Sequence, residues 1–114
     1  MAKKQPKKAV FLLPLTYNDG SRIPDETLDG MLDEVYNAFG GWTLEGEVKG
    51  AYRMQSGEKQ VEQLLRVAVV VGSSSMPVLR KMIGRWCSRL GQEAMYLETS
   101  DAQVEFIPPS SEEL

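Results

Sequence analysis

A chain of 114 residues with 42% hydrophobic and 25% charged side chains has the composition of an ordinary folded domain, which excludes collagen-like, low-complexity and wholly disordered classes. Its 13 Lys and Arg against 16 Asp and Glu leave a net charge of -3, so any affinity for nucleic-acid phosphates would have to come from a local patch. The absence of histidine removes the commonest general base, the usual nitrogen ligand for metals, and every nucleophile that a histidine activates.

Lys3, Lys4, Lys7 and Lys8 precede an apolar run at 9–13 and together imitate a secretory signal. The run is short, Pro14 interrupts it and no small-residue cleavage pattern follows. The single cysteine, Cys87, can form no internal disulfide. These features predict a cytoplasmic protein with no membrane span and a flexible basic tail over residues 1–8.

The first strand is predicted over 9–15, closed by the turn-forming Asn18-Asp19-Gly20. Pro14 has no N–H to donate, so either a central strand is ending there or this strand lies at an edge. A helix follows over 24–39, because Leu28, Met31, Leu32, Val35, Tyr36 and Phe39 recur at the spacing of one buried stripe. Pro24, the acidic pair Asp25-Glu26 and the stop Gly40-Gly41 suit its two ends.

From Trp42 the period changes to two, which predicts a half-buried second strand with Trp42, Leu44, Gly46, Val48, Gly50, Tyr52 and Met54 on one face. Gly46 and Gly50 mark a bulge, a sharp coil or a close approach. After a turn at 55–59, residues 61–71 form a third strand whose run Val67-Ala68-Val69-Val70-Val71 suits the sheet interior. Ser73, Ser74 or Ser75 then caps a second helix carrying Met76, Leu79, Met82, Ile83, Trp86, Cys87 and Leu90 on its apolar stripe, and Gly91 stops it. A fourth strand is predicted at 93–97, with 104–107 folding back as an added edge strand.

This order predicts an α+β, ferredoxin-like β-α-β-β-α-β two-layer sandwich over 9–107, an antiparallel sheet with two helices on one face, followed by a disordered acidic tail at 108–114.

Few residues carry chemistry. Cys87 lies on an apolar stripe and reads as core. Asp25, Glu26, Asp29, Asp33 and Glu34 crowd the first helix, but they look outward along a solvated face instead of converging on a cation. The second helix is the reverse, with Arg80, Lys81, Arg85 and Arg89 and no acid. The simplest account is that the two rims pair. Together with the hydroxyl-rich turn Ser73-Ser74-Ser75, these cations also form the candidate anion site. Trp42, Tyr52 and Arg53 are the pocket candidates. No catalytic residue, cofactor or metal is assigned.

Asp19-Gly20, Leu32-Asp33-Glu34-Val35, Thr43, Gly50 with Tyr52, and Gly91-Gln92-Glu93 give residues 10–97 a resemblance to a family of small bacterial proteins of unknown function. The resemblance implies a ferredoxin-like fold and no established reaction. The chain departs from that family at Phe39-Gly40-Gly41-Trp42, where a Phe-Pro-Asp-Gly-like corner is usual, and many members are exported.

The leading expectation is a non-catalytic module that self-associates as a homodimer and binds a protein partner or small ligand. The motive is that Leu64, Ala68 and Val70 would leave an apolar patch on the sheet face without helices. Two alternatives stand beside it. One is a cofactor-independent enzyme of the dimeric α/β barrel type, or a carboxylate-metal nuclease. The other is nucleic-acid binding through Lys81, Arg85 and Arg89.

Overall fold

A computed structural model describes residues 5–111. Of the tails expected at 1–8 and 108–114, residues 1–4 and 112–114 lie outside the described residues. The chain runs β1 (Pro6–Pro14), α1 (Asp25–Phe39), β2 (Thr43–Arg53), β3 (Lys59–Gly72), a 3-10 turn (Ser73–Ser75), α2 (Met76–Arg89) and β4 (Leu97–Asp101). The sheet is antiparallel throughout, in the order β2-β3-β1-β4. Two parallel β-α-β crossovers interleaved in this way make the ferredoxin-like α+β sandwich expected from the sequence.

Alternation decides what each face of the sheet does. Ala9, Phe11 and Leu13 on β1, with Val67, Val69 and Val71 on β3, meet Leu28, Met31 and Val35 of α1 and Leu79, Met82 and Trp86 of α2 in one core. The rings of Phe11 and Trp86 lie 5.6 Å apart and tilted by 52°, an arrangement that adds to simple burial. Trp86 is wholly buried, and its indole donates a 2.7 Å hydrogen bond to Glu34 on α1, so the helix pair is tied where an unpaired N–H would be costly.

Pro14 fits because of where β4 stops. The Leu15 N–H bonds back to Gln63 on β3, so the nitrogen of Pro14 faces the β4 side. There the ladder ends at Phe11 opposite Leu97, and no donor is missed.

Several boundaries differ from those expected. β1 begins at Pro6, because Lys7 and Lys8 lie in the ladders with β3 and β4 and ion-pair with Asp101 and Glu45. β4 occupies 97–101 instead of 93–97. Its polar sequence reads as a turn, but an edge strand needs only ladder partners, and β1 supplies them. Residues 104–107 form no added strand. The serines open α2 through the 3-10 turn without a side-chain cap, and Pro77 takes up a first-turn position.

The largest difference is β2. A bulge between Leu44 and Gly46 reverses the alternation, so Leu44 pairs opposite Val67 on the helix side while Val48 pairs opposite Leu64 on the other face. Gly46 adopts φ 110° there, a conformation that strains residues with a Cβ. The single apolar face expected for this strand therefore does not exist. Trp42 and Tyr52 are both 39% exposed, and the far half of the hairpin, at Lys49, Ala51, Arg53, Lys59 and Val61, is exposed.

Candidate functional site

The helix-free face of the sheet carries Val10, Leu12, Leu64 and Ala68, all buried within this one chain. Of the apolar patch expected at Leu64, Ala68 and Val70, only Val70 is exposed. Arg66 supplies the cover over one end. From β3 it donates to Glu45 at 2.8 Å on the β2 side and reaches Glu98 on β4 at 3.1 Å, so its side chain crosses over β1. Lys8 adds a 3.2 Å bond to Glu45. The hydrogen bonds from Arg66 and then Lys8 hold the Glu45 carboxyl below the usual range.

The other end of this face is open. There the strip of Leu12, Pro14 and Leu64 floors a cleft of about 370 Å³. One wall is the end of the β2–β3 hairpin, with Tyr52, Arg53, Met54, Gln55 and Glu62, and the other is the segment 92–96 before β4. A hydrogen bond from the Gln55 N–H to a Glu93 carboxylate oxygen, 3.1 Å, joins the walls. The second wall is anchored from behind, where Asn18 donates to the Gly91 carbonyl at 2.7 Å and Gln92 donates to Asn18 at 3.3 Å.

Two features of the hairpin shape the interior. Gly50 pairs opposite Glu62, and a Cβ on Gly50 would lie 2.5 Å from the Tyr52 hydroxyl oxygen and 2.7 Å from its ring. Tyr52 thus lays its ring over Gly50, beside the Glu62 position, in space that only a glycine leaves open. Glu62 makes no hydrogen bond or ion pair among the described residues, and burial pushes its carboxyl above the usual range. Such an uncompensated carboxylate in a concavity is the kind of group that marks a binding or acid-base site.

Of the pocket candidates, Tyr52 and Arg53 line the cleft, whereas Trp42 sits at the opposite end of β2. Sequence reasoning missed Glu62, Met54, Met95 and Tyr96. Glu62 lies two residues before Leu64 on β3, but nothing local shows that 92–96 closes over it. Of the residues grouped as the candidate anion site, Ser73, Ser74 and Ser75 form the 3-10 turn before α2 and the four cations lie along α2. Arg85 donates to Glu34 at 3.1 Å, the pairing of helix rims read from the sequence. Arg89 adds attraction to the same carboxylate. Arg80 and Lys81 have no acidic partner among the described residues and flank Val78 on a shallow groove with Pro77. The described residues bring no set of three metal-ligating acids or thiols together, and no described helix is long and apolar enough to cross a membrane.

Fold and cleft together define a ferredoxin-like α+β module with a small-molecule-sized concavity on its helix-free face. No family model and no curated protein matches the chain. Among solved structures it is similar to a phage SAM lyase in complex with S-methyl-5'-thioadenosine, with a TM-score of 0.69 and 11% identity over 89% of this chain and 84% of that one. It is also similar to a Bacillus cereus protein related to NIF3, with a TM-score of 0.61 and 13% identity over 91% of this chain and 27% of the other. At these identities the likeness is one of fold.

Proposed function

We propose that the chain is a binding module whose site is the open-face cleft, and that it takes a small zwitterion carrying a planar or apolar body. The observation that carries this reading is Glu62, a partly desolvated carboxylate with no partner among the described residues, set in a cleft otherwise floored by Leu12, Pro14 and Leu64. Folding has placed a charge where it costs solvation, and a cationic group on a ligand would offset that cost. Tyr52 and Tyr96 offer faces for a ring or soft cation. Arg53, also without an acidic partner among the described residues, offers a donor for a ligand carboxylate.

SAM has this chemistry, with a sulfonium, an amino-acid end and a purine, and the phage SAM lyase shares the fold. SAM and S-methyl-5'-thioadenosine are therefore the probes. Calorimetric titration is expected to show SAM binding more tightly than the uncharged thioether, with Glu62→Gln losing most of that preference and Tyr52→Ala weakening both. Binding of neither probe, or equal binding by the native chain and Glu62→Gln, contradicts the reading.

A second reading makes the same cleft catalytic, with Glu62 as proton acceptor and Tyr52 beside it. The favouring observation is the raised Glu62 carboxyl, a common adaptation of a general base. Chromatography of SAM incubated with the native chain and with Glu62→Gln separates the two readings. Products formed only by the native chain support catalysis, and binding without conversion supports the module alone.

A further inference from the structure

We infer that two copies of this chain associate by exchanging their C-terminal segments, each laying Val104–Ile107 against the Val78, Arg80 and Lys81 surface of the other. Phe106 is 90% exposed and Ile107 82% exposed, on an irregular stretch that follows β4. Two large apolar side chains side by side at that exposure have burial still to gain. The acceptor has the matching chemistry. Val78 is 50% exposed, and Arg80 and Lys81 flank it without an acidic partner among the described residues. Beyond Asp101 the sequence holds Glu105, Glu112 and Glu113 and no cation, whereas α2 holds four cations and no acid.

Topology makes the exchange closed. The Ala102 N–H bonds the Pro6 carbonyl, and the Ser73 N–H just before α2 bonds the neighbouring Gln5 carbonyl. Donor segment and acceptor surface therefore leave the sheet at the same end. Two copies meeting there across a twofold axis each give and receive one segment, a self-complementary contact that stops at the dimer. This surface is separate from the cleft and replaces Leu64, Ala68 and Val70 as the ground for self-association.

The test is the solution mass by light scattering across the micromolar range. The full chain is expected to run as a dimer in equilibrium with monomer. Truncation after Ala102 should weaken the dimer about a hundredfold or more while far-UV circular dichroism and probe binding in the cleft stay unchanged. Lys81→Glu should also weaken it, and adding Glu105→Lys to that variant should restore it. A full chain that is monomeric throughout, a dimer that survives truncation, or a charge swap that restores nothing overturns the inference. Loss of cleft binding with dimerisation intact would count against the proposed function alone.

Discussion

The two faces of one sheet meet opposite fates in this protein. On the helix side, Ala9, Phe11, Leu13, Val67, Val69 and Val71 disappear under two helices, and no polar residue is buried among the described residues. On the other face a narrow strip, Val10, Leu12, Leu64 and Ala68, is roofed at one end by Arg66 and its carboxylates and left as a cleft at the other. The first arrangement is what stability requires. The second leaves apolar surface in a concavity and Glu62 without a partner among the described residues, which stability alone does not explain.

If that contrast is right, truncations on the two faces will not cost the same. Trp86→Ala, which empties the centre of the helix-side core and removes one of the two side-chain donors to Glu34, should cost about 3–5 kcal/mol in chemical denaturation. Leu64→Ala opens onto the existing cleft and should lie near the low end of the Leu-to-Ala range, about 2 kcal/mol. Equal costs would break the comparison.

Glu34→Ala keeps the packing but strands the buried indole N–H, and should cost about 1–3 kcal/mol. Its pH dependence follows from its surroundings. Burial raises the Glu34 carboxyl, but the hydrogen bonds from Trp86 and Arg85 outweigh it and leave the group below its usual range. A depressed folded value stabilises above the unfolded titration and is lost as pH falls through the folded one. The stability gap between the native chain and Glu34→Gln should therefore be present at neutral pH and close in acid, as thermal melts at a series of pH values would show.

Two smaller effects sharpen the view of the cleft. Gly50→Ala must push the Tyr52 ring off its seat. Calorimetry should then show probe affinity falling by about tenfold, the worth of one aromatic stacking contact, with little change in melting temperature. Glu62→Gln should slightly raise the melting temperature at neutral pH. Because the folded carboxyl is raised, its charged form penalises folding above that value, so the gain should vanish as the pH falls and Glu62 becomes neutral.

Much of the fold was legible because its elements are locally consistent. The stripe from Leu28 to Val35 and that from Met76 to Leu90 specify the two helices, and the Val-rich third strand indicates burial on both faces. β2 and β4 were harder for physical reasons. One extra residue before Gly46 inverts every side chain beyond it; Gly46 marks a bulge as one of the expected irregularities, but alternation alone does not choose between a bulge, a coil and a close approach. Leu97 to Asp101 carries almost no apolar signal, because its pairing with β1 is a backbone matter. Tyr52 and Arg53 are pocket candidates from the sequence, with Tyr52 read on the apolar face of its strand, but Glu62 becomes special only when the hairpin and 92–96 come together.

The central claim is that the open-face cleft, and not the basic helix, is the ligand site. Amide chemical-shift mapping during a SAM titration tests it most directly. Saturable shifts confined to Tyr52–Gln55, Glu62–Leu64 and Gln92–Tyr96, and reduced in Glu62→Gln, are the predicted result. Shifts centred on Ser73–Lys81, or none at all, would contradict it.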